Sequence, residues 1–309
     1  MTATPGAPAT GGGPQLAPPA PPASGPGRPV DRLDAVFRGA RIEGRAGLVG
    51  YLPAGFPSVP GAVACLRAMV EGGCDVVEVG LPYSDPVLDG PTIQAAADQA
   101  LRAGTHTTDV LRTVEAVAAA GGVPVVMSYW NPVARYGVDR FARDLAAAGG
   151  VGLITPDLTP DEGPEWIAAS ETTGLGRIFL VAPSSTDARL ARTVAACRGF
   201  VYAASVMGVT GVRATTSAAA PGLVARVRPL TPLPVCVGLG VSTAAQAAEV
   251  AGYADGVIVG SAFVAAAGRA ATPADAAEAV RALAADLAQG VRAGRGEIAG
   301  SGPARRPGG

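Results

Sequence analysis

A closed (β/α)₈ barrel with a short N-terminal helix is the fold this sequence predicts, on three observations. The chain carries eight short apolar runs; helical stretches separate most of them; and the fold-forming part is roughly 260 residues, near the ~250 typical of such barrels. The short helix comes first: "DRLDAVFRGARIEGRA" puts Leu33, Val36 and Phe37 on one side. The runs follow as "GLVGYL" (47–52), "DVVEVG" (75–80), "PVVMSYW" (124–130), "VGLIT" (151–155), "RIFLVA" (177–182), "FVYAAS" (200–205), "PVCVGLG" (234–240) and "DGVIVG" (255–260). Each is rich in β-branched residues, as strands covered on both faces require. Between them lie stretches such as "VPGAVACLRAMVEGG" and "TTDVLRTVEAVAAAGG", which read as helices. An open doubly wound sheet also accommodates the alternation, but the count and the length favour closure. Residues 1–29 and 288–309, dominated by small residues and proline, have too little apolar bulk to offset their ordering entropy. They are expected to be disordered tails around a catalytic domain at 30–287.

Composition excludes several chemistries. Net charge is −1 and every basic residue is Arg. With no basic block, a nucleic-acid partner is not expected. The absence of Lys removes Schiff-base cleavage and the P-loop. Cys65, Cys74, Cys197 and Cys236 have no CxxC spacing and read as buried free thiols. His106 is the single histidine, so neither a Ser-His-Asp triad nor a zinc site is expected, and no metal or cofactor is implied. No basic-then-apolar leader or membrane-length apolar run is present, which points to a cytoplasmic enzyme.

In such a barrel the C-terminal strand ends build the active site. Glu78 at the end of the second run, Tyr129 ending the third, Asp157 after the fourth and Tyr202 in the sixth would share that address. Alternation turns Glu78 away from Val77 and Val79 and into the barrel. A buried carboxylate without a cation has a raised pKa, which suits a group that both gives and takes protons. Asp89, in "SDPVLDGP", reads from position alone equally as a site carboxylate or a turn residue. Asp85, directly before Pro86, reads as loop-shaping or a partner contact. Gly238, Gly240 and Gly260 let backbone approach an anion after the last two strands, and Ser261 can cap the following helix and donate a hydroxyl. "MGVTGVRATTSAAAPG" (207–222) resembles a lid closing over substrate.

"GYLPAGFP", "VVEVGLPYSDPVLDGPTIQ", "SYWNPVARYG", "APSS", "FVYAASVMGVTG", "VCVGLGVS" and "GVIVGSAFV" occur in that order. Together they resemble the alpha chains of tryptophan synthase over about residues 30–287. The resemblance implies a (β/α)₈ barrel that splits indole-3-glycerol phosphate into indole and glyceraldehyde 3-phosphate. It places the catalytic carboxylates on Glu78 and Asp89 and substrate contacts on Tyr51, Tyr129, Tyr202 and Thr210. It places phosphate contacts on Gly211, Gly240, Gly260 and Ser261. It further implies a pyridoxal-phosphate-dependent beta chain as partner in an α₂β₂ complex. Leu239 departs from the family's usual "GFG", and the tails lie outside the resemblance. A barrel that has lost catalysis is disfavoured by the presence of both carboxylates. A phosphate-binding isomerase barrel is disfavoured by the lack of a first-strand acid or lysine.

Overall fold

The computed structural model describes residues 27–204, 219–238 and 240–300. Its strands are β1 (Gly47–Pro53), β2 (Val76–Gly80), β3 (Pro124–Met127), β4 (Gly152–Thr155), β5 (Gly176–Val181), β6 (Val201–Ala204), β7 (Val235–Gly238) and β8 (Gly256–Val259). They pair in parallel in chain order, and β8 returns to β1, closing the barrel. Around it run α1 (Pro29–Ile42), α2 (Val59–Glu71), α3 (Pro91–Arg102), α4 (Thr107–Ala119), α5 (Trp130–Tyr136) and α6 (Val138–Ala147). They continue as α7 (Pro164–Thr173), α8 (Asp187–Ala196), α9 (Ala219–Val227), α10 (Ala244–Ala251), α11 (Ser261–Gly268) and α12 (Pro273–Gly300). Among the described residues no helix is long and apolar enough to cross a membrane.

Two apolar layers follow from strand alternation. Val49, Val76, Val125, Ile178, Phe200, Cys236 and Ile258 fill the barrel, and Leu33 and Phe37 of α1 close its lower end. The alternate strand residues, such as Leu48, Val77, Val126 and Leu153, pack outward against the helices. The expected buried thiols are found: all four cysteines are free and buried.

The two ends of the barrel treat carboxylates differently. At the lower end, Asp75 holds Arg45 through two hydrogen bonds of 2.8 Å and accepts from the Leu48 amide. Asp255 pairs with Arg228 at 3.2 Å and accepts from the Val235 amide. Those ion pairs are structural clamps. At the upper end Glu78 and Asp89 have no such cation among the described residues.

Three boundaries differ from the sequence reading. Helix α1 begins at Pro29, whose missing N–H costs nothing in a first turn. The third strand stops at Met127, so Tyr129 is the residue preceding α5 rather than a strand end. The supposed C-terminal tail is helical from 288 to 300, and Ala288 and Val291 are buried. Its small residues are the reason: Gly290 and Gly294 sit so close to the backbone of Ala244 and Ala248 that neither position has room for a Cβ. Glycine here is close helix packing, not disorder.

Candidate active site

Glu78 lies in the middle of β2 and only 2% of it is exposed. In register it sits between Tyr51 of β1 and Val125 of β3. Its Oε1 has no hydrogen-bond partner, and no cation faces it among the described residues. Burial therefore pushes its pKa up to about 8, so the protonated acid is the resting form at neutral pH. The sequence reading put Glu78 at the strand end; it is two residues deeper, which strengthens its desolvation.

Asp89 lies on the loop between β2 and α3, partly covered. Burial raises it to about 6, and the Tyr129 hydroxyl beside it offsets part of the rise. Asp89 is therefore largely ionised where Glu78 is not. One barrel mouth thus holds a carboxylic acid and a carboxylate, set apart by environment. The same Tyr129 hydroxyl accepts from the Leu88 amide at 3.0 Å, and the Tyr83 ring stacks on the Tyr129 ring at 5.3 Å.

Tyr51 and Tyr202 complete the group. Both phenols are pushed well above their ordinary range, first by burial and then by the charges of Asp89 and Glu78. Four of the predicted residues, Tyr51, Glu78, Asp89 and Tyr202, thus share one electrostatic environment, and Tyr129 joins them through Asp89. Each tyrosine needs a glycine. A Cβ on Gly80 would come within 2.5 Å of the Tyr51 hydroxyl, and one on Gly238 would collide with the Tyr202 hydroxyl. Gly238, expected to approach an anion, thus has a different reason to lack a side chain. Gly80 was missed, because nothing in "VEVGLP" reveals that a tyrosine from the neighbouring strand occupies its space.

The two helices after the last strands are not equivalent. α10 carries a side-chain cap: Thr243 accepts from the Gln246 amide, and Gln246 accepts from the Ser242 amide just before the helix. In α11 the capping position is Gly260, which has no side chain, and Ser261 is already the first helical residue. The expected Ser261 cap is therefore absent, and the leading amides of α11 carry no side-chain cap. A Cβ at Gly260 would make only ordinary contacts, 3.4 Å from Tyr51 and 3.6 Å from Ile93. Gly240, at φ +73°, needs glycine for its left-handed backbone. Thr210, Gly211, Leu239 and most of the 207–222 segment lie outside the described residues.

Asp85 is exposed and accepts from the Ser84 hydroxyl at 2.6 Å. Val87 beside it is 73% exposed. A groove of about 500 Å³, lined in part by Pro82, Tyr83, Ser84, Asn131 and Arg135, flanks this loop outside the barrel mouth. Asp157 also has a partner the sequence could not name: its carboxylate accepts from the Trp130 amide at 2.9 and 3.1 Å.

The family model described as tryptophan synthase alpha chain matches residues 37–292. A tryptophan synthase alpha chain of Nocardia farcinica is 63% identical over 261 residues, 84% of this chain and 96% of that one. Its counterpart in Acidothermus cellulolyticus is 68% identical over 256 residues, 83% and 95% of the two chains. Among solved structures, Mycobacterium tuberculosis tryptophan synthase superposes with a TM-score of 0.80 at 61% identity, covering 84% of this chain and 98% of that one. With the barrel, the buried acid and the paired carboxylate already in place, these matches settle the kinship: this chain belongs to the tryptophan synthase alpha chain family.

Proposed function

We propose that the chain cleaves indole-3-glycerol phosphate to indole and glyceraldehyde 3-phosphate, with Glu78 and Asp89 as its catalytic residues. The observation that carries this reading is the state of Glu78: buried, without a cation among the described residues, one oxygen unpartnered, and protonated at neutral pH. The reaction needs such a group. Glu78 gives its proton to C3 of the indole ring, making an indolenine. It then takes a proton from the hydroxyl on the adjacent glycerol carbon. The bond between that carbon and C3 breaks, its electrons restore the aromatic ring, and the carbon becomes the aldehyde. Glu78 ends as it began. Asp89, ionised, accepts from the indole N–H and stabilises the positive charge that develops there.

Tyr51, Tyr129 and Tyr202 would wall the indole, and Thr210 and Gly211 would contact substrate from the 207–222 segment. The phosphate would rest on the leading amides of α11, with Gly260 allowing close approach and Ser261 donating its hydroxyl. The absence of a side-chain cap on α11 supports that assignment over α10, which Thr243 already caps. Gly240 holds the turn after β7 that faces the same end, and Gly238 contributes through Tyr202 as much as through any anion.

The partner in this reading is the pyridoxal-phosphate-dependent beta chain, in an α₂β₂ complex that takes the indole directly. The exposed Asp85 and Val87 and the groove beside them offer a docking face joined by a few residues to Asp89. Docking there would reposition a catalytic carboxylate. The alpha chain itself uses no cofactor or metal, and the setting is the cytoplasm. Indole release from indole-3-glycerol phosphate, with glyceraldehyde 3-phosphate in equal amount, tests the reading; neither product from the full chain with a beta chain would refute it.

A further inference from the structure

We infer that Asp157 is a positioning residue for this reaction, holding Tyr129 and through it Asp89, an inference that rests on the roles proposed above for those two residues. Asp157 lies just beyond β4 and is exposed. It is not among the charges acting on Tyr51 or Tyr202, so it stands apart from the field of the reacting groups. Both of its carboxylate oxygens reach the Trp130 amide, at 2.9 and 3.1 Å.

That amide is the first of α5, a helix of 7 residues. A helix this short does not hold itself in water. Its capping residue is Tyr129, whose phenol makes no hydrogen bond to the helix start. The acceptor is supplied instead from the next strand, by a charge-assisted bond. Tyr129 is thus fixed at its backbone by Asp157, while its hydroxyl takes the Leu88 amide at 3.0 Å and faces Asp89. The route runs over three successive strand ends: β4 holds the start of α5, Tyr129 holds the loop after β2, and that loop carries Asp89. Tyr83, stacked on Tyr129 and accepting from Asn131 at 3.3 Å, ties the same loop to the body of α5.

Removing the Asp157 carboxylate frees the Trp130 amide and lets Tyr129 drift. A displacement of about 1 Å in a catalytic group can cost ~10²-fold in rate. The test uses the full chain with a beta chain and compares wild type, Asp157→Ala, Asp157→Asn, Tyr129→Phe and the Ala/Phe double variant. The measurements are indole release, its pH profile and thermal stability. Asp157→Ala is expected to lower kcat at least about tenfold with a smaller change in KM. It should also move the acidic limb of kcat/KM upward, because the Tyr129 hydroxyl no longer holds the Asp89 pKa down. Asp157→Asn, which keeps an acceptor oxygen, should restore most of the rate, and the double variant should be no worse than Asp157→Ala. Wild-type kinetics in Asp157→Ala, or a loss that Asn does not rescue and that adds fully to Tyr129→Phe, would overturn the inference. A wild-type chain that releases no indole would instead overturn the functional reading, and this inference with it.

Discussion

Replacing Glu78 with Gln should abolish chemistry and at the same time stabilise the protein at alkaline pH. Gln keeps the size and polarity of the side chain but cannot ionise. In the wild type, burial raises Glu78 from 4.5 to about 8. Below pH 4.5 both the folded and unfolded chains carry the proton, and the group makes no pH-dependent difference. Between 4.5 and about 8 the unfolded chain has lost the proton and the folded chain has kept it. Unfolding then releases a proton, and stability falls by about 1.4 kcal/mol for each pH unit. Above pH 8 both states are ionised, and the accumulated loss is about 4–5 kcal/mol. A loss of that size is a large fraction of a typical domain's 5–15 kcal/mol. Urea unfolding of the wild type and Glu78→Gln at pH 5, 7 and 9 reads it directly. The difference should open in favour of the variant as pH rises, while indole release falls about 10²-fold or more. Parallel stability curves across that range would refute the burial argument, whatever the variant's activity.

The remaining predictions concern the other parts of the site. For kcat/KM, activity should rise through about pH 6 as Asp89 ionises and fall through about pH 8 as Glu78 loses its proton. Asp89→Asn should remove the acidic limb along with about 10²-fold of the rate, measured by indole release. In Gly80→Ala the new Cβ would lie 2.5 Å from the Tyr51 hydroxyl; the ring must recede, at a cost of about 1–3 kcal/mol seen as a lowered Tm and weakened substrate binding. Gly260→Ala should leave Tm nearly unchanged, because its Cβ would make only ordinary contacts, yet weaken binding of glyceraldehyde 3-phosphate in calorimetry.

Much of this is legible in the sequence, and the reasons are local. The eight runs announced the strands because β-branched residues buried on both faces leave an unbroken apolar pattern. Glu78 stood out because one carboxylate interrupts that pattern at an inward position. Tyr129 was misplaced by its company: Val-Val-Met-Ser-Tyr-Trp reads as a strand, but Asp157, twenty-seven residues on, captures the Trp130 amide and starts a helix there. Pro132 is compatible with that start, since a first turn needs no N–H from it. The C-terminal boundary failed for a similar reason. "AQGVRAGRG" (288–296) looks thin in apolar bulk, yet on α10 its glycines permit contacts that larger side chains would block. Gly80 gives no sign at all and Gly238 stands out for a different reason, since the need of both is set by tyrosine hydroxyls brought in by other parts of the chain. In each of these places a long-range contact overrides a local pattern.

The central claim is that Glu78 delivers the proton that releases indole. It is tested most directly by single-turnover cleavage of indole-3-glycerol phosphate in D₂O, comparing wild type with Glu78→Gln at pH 7 in the presence of a beta chain lacking serine. The wild type should form indole carrying one deuteron at C3, and a folded Glu78→Gln chain should bind the substrate and form almost none. Indole formed at the wild-type rate by Glu78→Gln would contradict the account.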